Sequence, residues 1–291
     1  MTRDARVILA RPTLAASRLE GLVRAERFVQ THPGQTMVPN AAIRAAPATS
    51  AEQVNQLLFG EMFDALDESN GFVWGQARRD GYVGWVGKDA LATSISEPTH
   101  WVRVPRTVVF TAPSIKARVW GFLGLNALVS VAESAESLAR VVAAGWVPAA
   151  HLAPIGRGWL EPAAAAAGFL GAPYVWGGRD SLGLDCSGLV QQALLAAGLA
   201  CPRDADQQSL LGVPVATSDL ARGDLVFWKG HVGMMLEHKP CCMPTPIIWP
   251  SQSNPCERRS IGSRPRAPAR SRPAEGYRPT GRTPELRRRR P

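Results

Sequence analysis

The feature that most constrains the fold is a short pattern that occurs twice. "GYVGWVGKDAL" at residues 81–91 has a counterpart in "AGWVPAAHL" at residues 144–152. Each is a glycine, an aromatic strand-like run, then a close of small or polar residues. Around the first copy, residues 37–95 hold more short alternating runs, separated by the turn signals "SNG" and "RDG". Alternation buries one face of a strand, and strands with turns at this spacing argue a small antiparallel barrel. Phe72, Trp74, Tyr82 and Trp85 are its expected core and one face; plain packing is the ordinary role of each Trp. Residues 100–155 echo the texture, so we read two copies of one barrel type, the second more diverged. Residues 1–36 are polar, Arg-rich and weakly periodic. They are expected to form an arm with one short helix over residues 14–28.

A third unit opens at "WLEPAAAAAGFLGAPYVWGG", residues 159–178. Pro162 suits the first turn of a helix, the alanine run favours that helix, and Gly168 can close it. Beyond the loop "GGRDSLGLD", the positions Leu189, Val190, Ala193, Leu194 and Ala197 recur at helical spacing, with Gly198 where the helix should end. Cys186 therefore sits at a helix N-terminus. Unpaired N–H groups and the helix dipole there favour a thiolate, the form a cysteine nucleophile needs. A buried small hydrophobe is the commoner fate of cysteine; the polar neighbours Asp185 and Ser187 argue against it. In "ARGDLVFWKGHVGMML", His231 opens an apolar, strand-like run. A histidine beside a strand is usually structural. A Cys-bearing helix packed on a His-bearing strand, however, is the arrangement in which an imidazole pairs with a thiolate.

These stretches together amount to a resemblance. "PYVWGG", "DCSGLV", "CPRDADQQ", "ARGDLVFW" and "GHVGMML" occur in the order and approximate spacing of the NlpC-type papain-like cysteine peptidases, over about residues 160–236. Two SH3-like barrels ahead of such a unit resemble the γ-D-glutamyl-L-diamino acid endopeptidases that process murein peptides. The resemblance implies an α+β chain: SH3-like barrels at 37–95 and 100–155, then an incomplete papain-like domain at 160–236. It implies Cys186 as nucleophile and His231 as general base. Tyr174, Asp185 and Ser187 would hold the substrate's N-terminal amine, a free L-Ala, beside the thiolate. Trp176 and Arg203 with Asp204 would line or buttress the cleft; a helix cap before "ADQQSLL" is an equal reading of Asp204. No cofactor and no metal are implied. A wall-binding protein with a vestigial peptidase unit is the rival reading.

Composition changes after residue 236. Residues 1–236 carry 20 basic and 20 acidic side chains, whereas residues 237–291 carry 13 basic and four acidic. The net charge of +9 thus belongs to the tail and says nothing about partners of the rest. The tail holds 11 of the 24 prolines and ends in "RRRRP", a composition that fits disorder. It lacks regularly spaced stacking aromatics, which weakens a nucleic-acid role. Where the family has a third polar residue, usually His, on the next strand, this chain has His238 followed by Lys239 and Pro240, and proline does not suit a central strand. Codons read one base out of frame must give leucine across Cys241 and Cys242 and alanine across Met243 and Pro244. Across Cys242 and Met243 they must give His or Tyr. The shifted reading can supply the missing strand and histidine, so we read residues 237–291 as out-of-frame translation. The expected cost is an open sheet, a bare apolar face on the Cys186 helix and impaired activity.

The N-terminus has no continuous apolar core of signal-peptide length, and no run of 18 apolar residues occurs. The expectation is a cytoplasmic protein without a membrane span, with a Sec-independent export route left open. Nothing in the sequence fixes an oligomeric state.

Overall fold

The computed structural model describes residues 4–135, 137–237 and 261–264. A seven-stranded antiparallel sheet forms the first barrel, in the order Leu91–Ala92, His32–Thr36, Met62–Ser69, Phe72–Ala77, Val83–Gly87, Asn40–Arg44, Gln53–Leu58. Ile43, Leu57, Phe63, Val73, Tyr82 and Val86 fill its interior. Trp74 and Trp85 are cross-strand partners on the opposite face. They pack there with Leu9, Leu14, Ala16 and Leu66, with Phe72 beside them. The four expected core aromatics therefore divide: Tyr82 faces inward, the others face the arm.

No α-helix covers residues 14–28. The arm instead forms strands Ala10–Arg11, Leu14–Ala16 and Phe28–Val29 with a 3-10 turn at Ser17–Leu19. Extended backbone lays Leu9 and Leu14 flat on the Trp pair, and the Arg11 guanidinium sits 4.7 Å above the Trp74 ring. Burial of that face overrides a weak local helix preference. His32–Thr36, at the end of the expected arm, is a working strand of the barrel.

The second barrel combines a five-stranded sheet (Val119–Gly124, Arg106–Phe110, Gly145–Pro148, Leu138–Val141, Val131–Ala135) with a three-stranded one. Val102, Val109, Leu123, Val129, Val141 and Val147 form its core, joined by Phe59 from the first barrel. The repeat seen in the sequence is also a structural repeat. Strand Val83–Gly87, 3-10 turn Lys88–Ala90 and strand Leu91–Ala92 match strand Gly145–Pro148, 3-10 turn Ala149–His151 and strand Leu152–Pro154.

The third unit is α+β. Helix α1 spans Pro162–Ala167; the Glu161 carboxylate accepts from the Ala163 and Ala164 amides at 3.0 and 2.7 Å. Helix α2 spans Cys186–Ala196, and Gly198 beyond it takes φ 75°, the left-handed stop that glycine permits. Helix α3 spans Ala205–Gln208. A four-stranded sheet runs Val213–Val215, Ile261–Arg264, Leu225–Trp228, His231–Met234.

Two expectations about the break after residue 236 are corrected here. First, α2 has no bare apolar face: every side chain from Cys186 to Leu194 is buried. Trp101, Leu125 and Ala153 of the second barrel join α1 and the strand residues Leu225, Phe227, Val232 and Met234 in one core around it. Second, the tail is not wholly without regular structure. Ile261–Arg264 pairs antiparallel with both Leu225–Trp228 and Val213–Val215. Two sheet edges otherwise left unpaired explain why a short segment with one β-branched residue is taken up there. His238 lies outside the described residues, as does the tail apart from Glu237 and Ile261–Arg264.

Candidate active site

Cys186 opens α2. Asp185 is the N-cap, its Oδ1 accepting from the Gly188 amide at 2.7 Å. A side chain at Gly188 would collide with the Gly178 carbonyl, so only glycine lets the loop lie this close to the helix start. The loop turns at Gly177, φ 72°, where a Cβ would come within 2.5 Å of the Gln53 carbonyl of the first barrel. The Gly177 amide donates to Asp185 Oδ2 at 2.8 Å.

Asp185 and Ser187 both face a cleft of about 660 Å³ that Cys186 also lines. Behind them stands Arg203. Its guanidinium donates to Asp185 Oδ1 at 2.9 Å, Asp185 Oδ2 at 2.7 Å and Ser187 Oγ at 2.8 Å. Arg203 is 1 % exposed and does not line the cleft. Of the two roles expected for it, the geometry is that of the buttress: its donors are turned to protein acceptors. Asp204 lines the cleft and also begins α3, where Gln207 Oε1 accepts from its amide at 3.5 Å. The two readings of Asp204 are therefore compatible. Trp176 stands at the rim, largely exposed, its Nε1 donating to Glu52 Oε1 at 2.7 Å.

The electrostatics of Cys186 differ from those expected of a helix N-terminus. Burial pushes the thiol up, and the Asp185 charge adds to that. The Val232 and Ser187 amides and the Tyr174 hydroxyl pull it down without cancelling burial. Tyr174, half-exposed and hydrogen-bonded to Cys186, is itself pushed up to about 12, mainly by burial. His231 begins strand His231–Met234, one residue before the Val232 amide that reaches Cys186. Burial lowers its pKa, with Asp185 opposing, a balance that favours the neutral ring. It lies against Trp228, ring centroids 5.6 Å apart. Among the described residues nothing hydrogen-bonds to the His231 ring.

The sequence alone did not point to the cleft's other wall. Glu52, Val54 and Tyr82 come from the first barrel and Arg6 from the arm. Tyr82 Oη donates to Asp204 Oδ2 at 3.2 Å, and Arg6 Nη1 donates to the same oxygen at 2.8 Å. A tyrosine in an alternating strand carries no mark that its hydroxyl leaves the core.

A cysteine at the first position of a helix packed on an antiparallel sheet, with a histidine on one of its strands, defines a papain-like α+β unit. The model of the NlpC/P60 family matches residues 171–242, and that of the bacterial dipeptidyl-peptidase Sh3 domain matches residues 43–91. The γ-D-glutamyl-L-lysine dipeptidyl-peptidase of Bacillus subtilis is 30% identical over 202 residues, 62% of this chain and 68% of that protein. The dipeptidyl-peptidase 6 of Lysinibacillus sphaericus is 41% identical over 69 residues, 23% of this chain and 26% of that one. An NlpC/P60 family protein from Bacillus cereus shares the fold, with TM-score 0.62 and 21% identity over 70% of this chain and 88% of that one. The chain belongs to the NlpC/P60 family and is, by family, a cysteine peptidase. Among the described residues no helix is long and apolar enough to cross a membrane.

Proposed function

We propose that this chain descends from, and is built as, an endopeptidase that cuts the γ-D-glutamyl–diamino acid bond of murein peptides. The observation that carries the reading is the convergence of Cys186, Asp185 and Ser187 on one cleft closed by a barrel wall. Cys186 Sγ attacks the γ-glutamyl carbonyl after its proton passes to His231. The backbone N–H groups of Ser187 and Val232, which already reach the sulfur, are placed to stabilise developing negative charge. His231 returns the proton to the leaving amine, and water then releases the L-Ala-γ-D-Glu acyl group. Asp185 and Ser187, with Tyr174 beside the sulfur, hold the free ammonium of L-Ala; Trp176 and Asp204 bound the cleft around it. The finer specificity draws on the name of the Bacillus subtilis relative, which acts on a γ-D-glutamyl-L-lysine bond.

The second reading is a wall-peptide-binding protein whose peptidase unit is vestigial. That no orienter hydrogen-bonds to the His231 ring among the described residues favours it, since a base free to take the wrong tautomer loses orders of magnitude in rate. The family match ending at residue 242 fits a change of reading frame just after residue 236. Mass spectrometry of L-Ala-γ-D-Glu-L-Lys and its diaminopimelate counterpart tests both. Release of the free diamino acid supports the peptidase. Binding without release, with turnover gained on restoring the frame after Leu236, supports the impaired form. No binding and no turnover in either chain overturns the assignment.

A further inference from the structure

Asp185 does not depend on the peptidase unit alone. Arg203, which grips it, has two more N–H groups: Nη2 also donates to the Gly178 carbonyl at 3.4 Å, and Nε turns to the first barrel. That donor goes to Asn55 Oδ1 at 2.9 Å. Asn55 lies on strand Gln53–Leu58 of the first barrel and is fully buried. Its Nδ2 donates to Asp80 Oδ2 at 2.9 Å, and its Oδ1 also accepts from the Gln56 amide at 2.8 Å. Asp80, with a buried side chain, is held in turn by the Tyr82 amide at 3.0 Å and by Gln191 Nε2 of α2 at 3.1 Å. One line of buried polar groups thus runs from a barrel turn to the cleft: Asp80, Asn55, Arg203, Asp185.

The residue type at 55 is narrowly specified. The site needs an acceptor for a guanidinium and a donor for a carboxylate in one small planar group, which is a primary amide. A carboxylate there would set a second negative charge against Asp80. An apolar side chain would leave Arg203 Nε and Asp80 Oδ2 short of partners in the interior, where an unmade bond is costly. With Nε anchored, the guanidinium plane is fixed, and its two-pronged grip then fixes the plane of the Asp185 carboxylate.

We propose that Asn55 and Asp80 are positioning residues: acting through Arg203, they set the place and plane of the Asp185 carboxylate beside Cys186, so that the first barrel determines the geometry of the amine pocket. The role in amine binding rests on the reading of Asp185 given above; the role in positioning does not.

The test uses the full-length chain carrying Asn55→Ala, Asp80→Asn, or the exchange Asn55→Asp with Asp80→Asn, which rebuilds the contact with its donor reversed. One readout needs no ligand: the pH midpoint of Cys186 alkylation by iodoacetamide, followed by peptide mass spectrometry. The other is calorimetric affinity for L-Ala-γ-D-Glu-L-Lys and its N-acetylated form, each in a Cys186→Ala background. Asn55→Ala is expected to raise the alkylation midpoint, because a loosened Arg203 neutralises Asp185 less fully. It should weaken free-amine binding about tenfold and leave N-acetyl binding unchanged. Asp80→Asn moves both in the same sense by less, which keeps the proposal testable should Asn55→Ala fail to fold, and the exchange returns both toward the parent. Folded single variants that melt earlier but keep the parental midpoint and affinity overturn the positioning role. A midpoint shift rescued by the exchange, in a protein whose parent binds no peptide, establishes the positioning role and overturns the amine reading.

Discussion

Arg179 of the peptidase unit and Glu61 of the first barrel meet with 0 and 1 % of their side chains exposed, through two bonds of 3.1 Å. Arg79 closes on the same carboxylate, Nε to Oε1 at 3.0 Å, and burial pushes its guanidinium pKa down. Glu61 is therefore a shared counter-charge for the buried Arg179 and the part-buried Arg79, with Asp80 3.9 Å from Arg179 as a second carboxylate, and its Oε2 also accepts from the Leu58 amide.

Replacing Glu61 with Gln keeps the shape and removes the charge. Stranding buried arginines is expected to destabilise by about 3–5 kcal/mol, far more than loss of a surface pair. Urea unfolding checks this. A change below about 1 kcal/mol would mean that water reaches the site.

Cys186 gives a pH prediction whose sign is opposite to that of an activated thiol. Its pKa is raised, so the thiolate fraction grows only at alkaline pH. The iodoacetamide rate for Cys186 should rise to an inflection above the roughly 8.5 of an ordinary cysteine. Tyr174→Phe removes a donor to the thiolate and should move the inflection higher. An inflection below neutrality would restore the helix terminus as the dominant influence.

Cys201 is buried and is pushed up to about 12, chiefly by desolvation. In the unfolded chain it titrates near 8.5. A raised folded-state pKa contributes stability that is fully present below the unfolded value and is lost as pH rises toward the folded one. Unfolding free energy should therefore decline between about pH 8.5 and pH 12, by at most about 1.4 kcal/mol per unit from this group. The measurement is urea unfolding across that range, with Cys201→Ala expected to flatten the early part. Tyr174, pushed up to about 12 against about 10 unfolded, adds a later decline that the Cys201 variant retains.

The pairing of Ile261–Arg264 with Leu225–Trp228 predicts protected amides in a segment whose composition reads as disordered. Hydrogen–deuterium exchange should show slow exchange over residues 261–264 and over 225–227. A chain cut after residue 237 should lose protection at 225–227. Full exchange at 261–264 within seconds would remove the strand.

Much of this architecture can be read in the sequence because its signals are local. The period-two runs, the repeated close at residues 81–91 and 144–152, Pro162 at a helix start and Gly198 after a helix end each act within one turn of their own position. The arm is not legible for the converse reason. Its conformation is set by a Trp pair far along the chain, to which its own periodicity has no link. The same holds at the cleft. Cys186, Asp185 and Ser187 stand in a contiguous motif, whereas Asn55, Tyr82 and Arg6 reach the site only through the packing of separate units. The upward push of burial on the Cys186 thiol is not legible, because a helix terminus is visible in sequence and the depth of burial around it is not.

Glu52, Val54 and Tyr82 build one side of the cleft from a different unit than the one that carries the sulfur. Recombination cannot then treat the two units as interchangeable parts. A transplanted peptidase half would arrive with its trench open on one flank, and a foreign barrel would have to supply matching side chains at the same register. Divergence in the barrel of any descendant is in effect divergence in what its trench accepts.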